Sequence, residues 1–149
     1  MARALILKEL YCEAPNETAL LGRVTSAMAI EGVYVIHLSA YTVEGKGVLR
    51  LISKDNHKAR KALSYFIPEI REREVLIVEF ENKTGTLAPV AKLLGNHDIA
   101  IDSVYGTSGD GFKIVGVFST SNNLRAAVLI NQDSGSLGLS LEAGPQGML

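Results

Sequence analysis

Cysteine is nearly missing from this chain. Cys12 is the only one in 149 residues, which excludes a disulfide framework and any cysteine-based metal site. Its place in a strand-like run reads as a buried structural thiol. Neither sign of charge is in excess: the formal net charge is −1 and the pI about 6.3, so no basic field draws the chain to nucleic acid or to an anionic membrane. No apolar run approaches the ~18 residues of a membrane span. The opening MARALILKELY meets Lys8 and Glu9 too soon for a signal-peptide core, which leaves a cytoplasmic soluble protein as the expectation. Catalytic signatures are missing too: no Gly-x-Ser-x-Gly, phosphate loop or His-Glu-x-x-His occurs. His37, His57 and His97 have no partner at metal-ligand spacing. The expectation is a non-enzyme with no metal and no cofactor.

What the chain does have is centred on residues 75–94, VLIVEFENKTGTLAPVAKLL. Val75 to Phe80 is a β-branched and aromatic run with a period of two, a strand. Leu87, Val90, Ala91 and Leu94 stand at i, i+3, i+4 and i+7, one face of a helix. Between them Asn82-Lys83-Thr84-Gly85 is a polar turn ending in a residue without a Cβ. A strand that passes through a glycine turn into a helix N-terminus leaves backbone N–H groups at the loop, where a small anion can dock.

The rest of the chain is organised in the same way. Residues 4–13 form a strand and 14–18 a turn. A helix follows with Leu21, Val24, Thr25 and Met28 on one face, closed by Gly32. Residues 33–42 and 47–53 pair through a hairpin turn at 43–46. Asp55 caps a second helix whose inward face is Ala59, Ala62, Leu63 and Phe66, stopped by Pro68. A shift of 66 positions lays Asn16 on Asn82, Thr18 on Thr84, Leu21 on Leu87, Val24 on Val90 and Val33 on Ile99. Continued without a gap, it lays Leu49 on Val115, Leu51 on Val117, Asn56 on Asn122 and Leu63 on Leu129. Few pairs are identical, but apolar meets apolar and turn meets turn, the mark of an internal duplication.

Each copy reads strand, helix, strand, strand, helix, strand. That pattern predicts an α+β fold of two ferredoxin-like βαββαβ units, antiparallel sheets with helices on one face. The first spans residues 1–70 and the second 71–142, with a flexible tail at 143–149. Glu69 to Glu81 holds no turn cluster, so the last strand of one copy runs into the first of the next; Arg71, Glu72, Arg73 and Glu74 suit a solvated segment. The last strand of the second copy is a weak one, with Leu137, Leu139 and Leu141 alternating with Gly138 and Ser140.

Residues 81–94, ENKTGTLAPVAKLL, followed by DIAIDSV and a hairpin, resemble the ACT domain, and the resemblance covers roughly residues 4–142. In the ACT family the corresponding pattern is a strand, a polar turn ending in Pro-Gly, Leu-Ala and a helix, then a hydrophobic strand. The whole is similar to small stand-alone proteins made of two such domains. The resemblance implies a regulatory module that binds an amino acid or similar small effector at a domain interface, a homodimer, and a protein partner that reads the change. It implies ligand contacts from Asn82, Lys83, Thr84, Gly85, Thr86 and Leu87, faced by Ile99, Ala100, Ile101 and Asp102. The residues support that transfer: Gly85 permits close approach, and the amides of Gly85, Thr86 and Leu87 suit a carboxylate before Pro89 interrupts the donors. The equivalent turn in the first copy, Asn16, Thr18, Ala19 and Leu20, is a weaker second site, because Ala19 stands where the glycine does.

Two other uses of this topology find little support. An acylphosphatase-type enzyme needs an arginine in the first turn, and neither turn has one. RNA binding needs exposed aromatics on the central strands, and of the two third strands GVLRLIS has none and KIVGVFS only Phe118, while Tyr34, Tyr41 and Tyr105 lie on second strands. The competing reading is a ligand-free dimerisation module.

Overall fold

The computed structural model describes residues 2–108 and 111–136. The elements run β1 (Ala2–Pro15), α1 (Leu20–Ile30), β2 (Val35–Val43), β3 (Lys46–Ser53), α2 (Asn56–Leu63), β4 (Glu69–Glu81), α3 (Leu87–Asn96), β5 (Ile101–Ser108), β6 (Lys113–Thr120) and α4 (Asn123–Ser136). They divide into two compact units: residues 8–73, and residues 2–7 with the described residues from Glu74 on.

The first unit is βαββαβ with strand order β4-β1-β3-β2, the ferredoxin-like arrangement. β1 pairs antiparallel with β3, placing Leu10 opposite Leu51 and Cys12 opposite Leu49. β2 pairs with β3 through a two-residue turn, Glu44-Gly45, in which both residues have positive φ, the geometry that matches strand twist. Leu10, Cys12, Ala14, Leu49 and Leu51 form a core with Leu20, Val24 and Met28 of α1 and Ala59 and Leu63 of α2. The buried face of α1 is set by Leu20 at 7% exposure, and Leu21 is 47% exposed; the expected face is rotated by one residue. Asp55 caps α2 as predicted, its carboxylate accepting from the Lys58 amide at 3.0 Å.

The second unit has the order β1-β4-β6-β5. It is the same fold, with residues 2–7 of β1 in the last-strand place. Leu137, Leu139 and Leu141, expected to hold that place, lie outside the described residues. The contacts of residues 2–7 with α4 are specific: the Ala4 amide donates to Asn131 Oδ1 at 2.8 Å, and Asn131 Nδ2 donates to the Ala4 carbonyl at 2.9 Å. The core gathers Leu76, Val78, Phe80, Val90, Leu94, Ile99, Phe118, Ala126 and Ile130. Here too the outer residue of the first helical turn, Leu87, is 44% exposed and sits off the core.

One carboxamide occupies the same place in both units. Asn56 Oδ1 accepts from the amide and hydroxyl of Ser53, and its Nδ2 donates to the Lys8 carbonyl at 3.0 Å. Asn123 Oδ1 accepts from the amide and hydroxyl of Thr120, and its Nδ2 donates to the Glu74 carbonyl at 3.0 Å. Asn122 then does what Asp55 does, accepting from the Arg125 amide. The true partner of Asn56 is therefore Asn123, one residue beyond the gapless alignment. The extra residue lies in the hairpin: Thr42 pairs with Gly47, whereas Ser108 pairs with Ile114. From β6 onward Leu49 matches Gly116, Leu51 matches Phe118 and Leu63 matches Ile130.

The face of β1 and β3 turned away from α1 and α2 holds charge. Glu9 is fully buried and accepts from Arg50 Nε at 2.9 Å and from Arg73 Nε at 3.1 Å. The guanidinium groups of Arg73 and Arg71 lie 4.2 and 5.0 Å from the Tyr11 ring centre, and Arg71 also pairs with Glu13 at 3.3 Å. The segment read as solvated is thus tied down through its two arginines. Burial pushes the Cys12 thiol up to about 11, which keeps it an inert thiol at neutral pH.

Two outcomes are expected. Asn56→Ala and Asn123→Ala should each lower stability by about 1–3 kcal/mol, since each leaves strand polar groups unpaired; urea unfolding of both variants checks the equivalence, and a neutral Asn123→Ala would break it. The second concerns His37, whose imidazole is held below its ordinary 6.5 by burial, with Nε2 buried and unpartnered among the described residues. A group easier to protonate when unfolded stabilises the fold above 6.5, and that contribution is lost as pH falls below it. The unfolding midpoint should drop from about pH 6.5 downward, before carboxylates titrate, and His37→Ser (Ser103 is the counterpart) should flatten that drop.

Candidate ligand-binding groove

The turn between β4 and α3 is built by its own hydrogen bonds. Lys83 N donates to the Glu81 carbonyl at 2.9 Å, and Thr86 N to the Lys83 carbonyl at 3.4 Å. The Thr86 hydroxyl donates to the carbonyls of Glu81 and Lys83 at 2.8 and 3.0 Å. Gly85 has φ +84, a conformation that a side chain would strain. No side chain caps α3, so the amides of its first turn have no acceptor from the N-cap residue, and Pro89 contributes none. Lys83 Nζ lies 2.6 Å from Glu81 Oε2 on the surface. That lysine holds the Glu81 carboxyl below its ordinary value of 4.5, so both are charged at neutral pH.

Above this turn lies a groove of about 710 Å³, lined by Lys83, Gly85, Thr86, Leu87, Ala88 and Ala91 on one side and by Phe80, Val104, Tyr105, Gly106, Ile114 and Gly116 on the other. Of the ten residues expected at the main site, four line it: Lys83, Gly85, Thr86 and Leu87. Thr84 faces a smaller cleft of about 240 Å³ on the other side of the loop, with Pro89, Leu93 and Ile130. Asn82 is turned to the hairpin, its amide donating to the Phe112 carbonyl at 2.8 Å and its Nδ2 to the Gly111 carbonyl at 3.0 Å. The expected facing wall is displaced along β5. Ile99 is buried in the core, Ile101 packs against it, and Ala100 exchanges hydrogen bonds with Ser121. Asp102 is exposed and, like Ile99, Ala100 and Ile101, does not line the groove. Val104, Tyr105 and Gly106 take that role. Gly106 and Gly116 pair directly across β5 and β6, and a glycine within each of two apolar strands was the available sign of a close approach.

The first unit carries the same groove, reduced to about 250 Å³, lined by Asn16, Glu17, Thr18, Leu20, Leu21, Ala40, Tyr41, Thr42, Gly47, Val48 and Leu49. Ala19 does not line it. Residue by residue, Leu20 stands where the second unit has Thr86, Ala40 where it has Gly106, and Leu49 where it has Gly116. Leu20 narrows the groove over Gly47, which stands where the second unit has Ile114: its Cδ2 comes within 2.5 Å of where a Cβ on Gly47 would sit. In the second unit the Gly116 space is taken up by the Phe118 ring, 2.6 Å from an added Cβ, while Thr86 and Gly106 leave the groove open.

Among the described residues no cluster of three or more His, Cys, Asp or Glu is placed to hold a metal, and no helix is long and apolar enough to cross a membrane. Arg23 pairs with Glu17 at 3.2 Å and lies over Phe66.

Among solved structures the chain is similar to protein BT0572 from Bacteroides thetaiotaomicron, with a TM-score of 0.80 at 24% identity over 88% of this chain and 90% of that one. It is also similar to the aspartokinase alpha and beta subunits, with a TM-score of 0.64 at 13% identity over 89% and 97%. A third is the ligand-free regulatory subunit of aspartate kinase from Thermus thermophilus, with a TM-score of 0.63 at 13% identity over 87% and 95%. The fold is ACT-like. No protein-family model matches the chain, and no curated protein does either. The likeness therefore concerns the ACT-like fold, and the groove has to be argued from its own residues.

The exchange of Leu20 for Thr86 has a measurable consequence. Leu20→Thr removes a buried isobutyl group from the first core and is expected to destabilise by about 2–4 kcal/mol. Thr86→Leu gives up the hydroxyl's hydrogen bonds to Glu81 and Lys83 and brings an isobutyl group beside Ile114, and is expected to destabilise by about 1–3 kcal/mol. Chemical denaturation of both variants checks these values, and a neutral Leu20→Thr would mean that Leu20 is not part of the first core.

Proposed function

We propose that the protein is a regulatory small-molecule-binding module, a tandem ACT-like protein whose second unit holds a small carboxylate effector, an amino acid or a close relative. The observation that carries this reading is the contrast between the units: one groove, lined by Leu20, is narrowed to about 250 Å³, and its counterpart keeps about 710 Å³. The open groove meets the start of α3, where Gly85 permits close backbone approach and uncapped amides favour an acid group. The fold likeness to a subunit named as regulatory in an aspartate kinase supports the same direction. Binding would act by favouring one arrangement of the chain over another, which a partner protein reads. A second copy of the chain is the proposed cover for the open side of the groove, which makes the working form a homodimer.

A second reading, a pairing module without effector, draws on β2. That strand lies at the outer edge of the first unit and exposes Leu38, Tyr41 and Val43, a surface suited to strand pairing.

A thermal-shift screen across the amino acids separates the two. A ligand at ten times its Kd stabilises by ~1.4 kcal/mol, which raises the melting temperature by about 3–6 °C for a chain of this size. Gly85→Val should abolish that shift while the chain still unfolds cooperatively. A flat screen together with a dimer that forms on concentration would favour the pairing module.

A further inference from the structure

We infer that the groove of the second unit selects its ligand by an apolar tail of at least isobutyl size and an acid group, and does not read an α-ammonium. This rests on the proposed binding role and deepens it. The first argument is the chain's own occupant. In the first unit the position of Thr86 is held by Leu20, whose isobutyl group packs against Gly47; the second unit has Thr86 there and Ile114 in the place of Gly47, and its groove is the larger, about 710 Å³ against about 250 Å³, with aliphatic side chains on the wall of both. The second argument is the wall: Phe80, Leu87, Ala91, Val104 and Ile114 are apolar, and a charged or strongly polar tail would be stripped of water there without a partner.

The third argument is charge. Among the described residues Lys83 is the one charged residue lining the groove, and no aspartate or glutamate lines it. The nearest carboxylate on the loop, Glu81, is already held by Lys83 at 2.6 Å. Asn82, expected among the ligand contacts, does not line the groove and gives its carboxamide N–H to Gly111. An acid group thus has a helix start to meet and a lysine that it would share with Glu81, and among the described lining residues an amine has no counter-charge. The fitting ligands are branched aliphatic carboxylic acids, with an amino, oxo or unsubstituted α-carbon.

The test is calorimetric titration of the full chain with L-leucine, 4-methyl-2-oxopentanoate and 4-methylpentanoate, three acids on one carbon skeleton, and with L-aspartate and L-lysine. The three leucine-skeleton acids are expected to bind within about threefold of one another, and the two charged amino acids at least about tenfold more weakly. Thr86→Leu, which copies the narrowed groove of the first unit, should weaken all binding at least about tenfold. Binding of L-leucine without binding of 4-methylpentanoate would overturn the inference and leave the regulatory reading standing, as would a preference for aspartate or lysine. Binding that survives Thr86→Leu would place the ligand elsewhere and overturn it as well. If none of the five binds, and the amino-acid screen is also flat, the binding role itself falls.

Discussion

Each unit depends on one asparagine. Asn56 and Asn123 stand at the start of α2 and α4, and each carboxamide joins the end of one strand to a carbonyl on another. A sheet position shifted by one residue sends every side chain to the wrong face, so a polar tie across the start of a helix protects the apolar contacts behind it. With the strand ends fixed in this way, the hairpin between the second and third strands is free to vary. It has a two-residue turn in the first unit and is one residue longer in the second, and the pairs beyond it, Leu51 with Leu10 and Phe118 with Leu76, remain equivalent.

Much of the architecture was readable because it is carried by periodicity. Alternation marked the strands, the spacing of Val24 with Met28 and of Val90 with Leu94 marked the helices, and turn residues separated them. The rotation of α1 and α3 was not readable, since Leu20 and Leu21 are the same residue and a pattern of hydrophobicity cannot rank them. Nor does anything between Ala2 and Pro15 say that residues 2–7 group with one unit and 8–15 with the other. Both halves read as one continuous strand, and the hydrogen bonds that tie residues 2–7 to α4 join Ala4 to Asn131, residues 127 positions apart. The gapless repeat failed at the hairpin for a related reason: the added residue lies among glycines, where sequence similarity carries no weight.

The site divides in the same way. Its turn was readable because a left-handed glycine and a helix start are local features. Its facing wall was not, because how far along β5 the groove falls depends on strand pairing and on the irregularity between Ile101 and Ser103. The buried ion cluster was missed for want of any local mark. Glu9 looks like a break in an apolar run, and Arg73 looks like solvent-facing charge, as its neighbour Arg71 in fact is. Buried pairs of this kind add little net stability but are costly to leave half-made, so Glu9 restricts which residues can face it on β3 and β4.

The contrast between the two grooves bears on what the second one is for. The first unit shows the same groove narrowed to about 250 Å³, with Leu20, Ala40, Gly47 and Leu49 where the second has Thr86, Gly106, Ile114 and Gly116. The wider form leaves apolar wall in contact with water, which is unfavourable in the absence of an occupant. Folding therefore does not require the opening, and stability is not improved by it. Threonine at position 86 also binds its own loop through two carbonyls, holding the turn in shape without filling the space above. A turn held in shape by its own hydrogen bonds beneath an apolar groove is an arrangement that suits a small ligand.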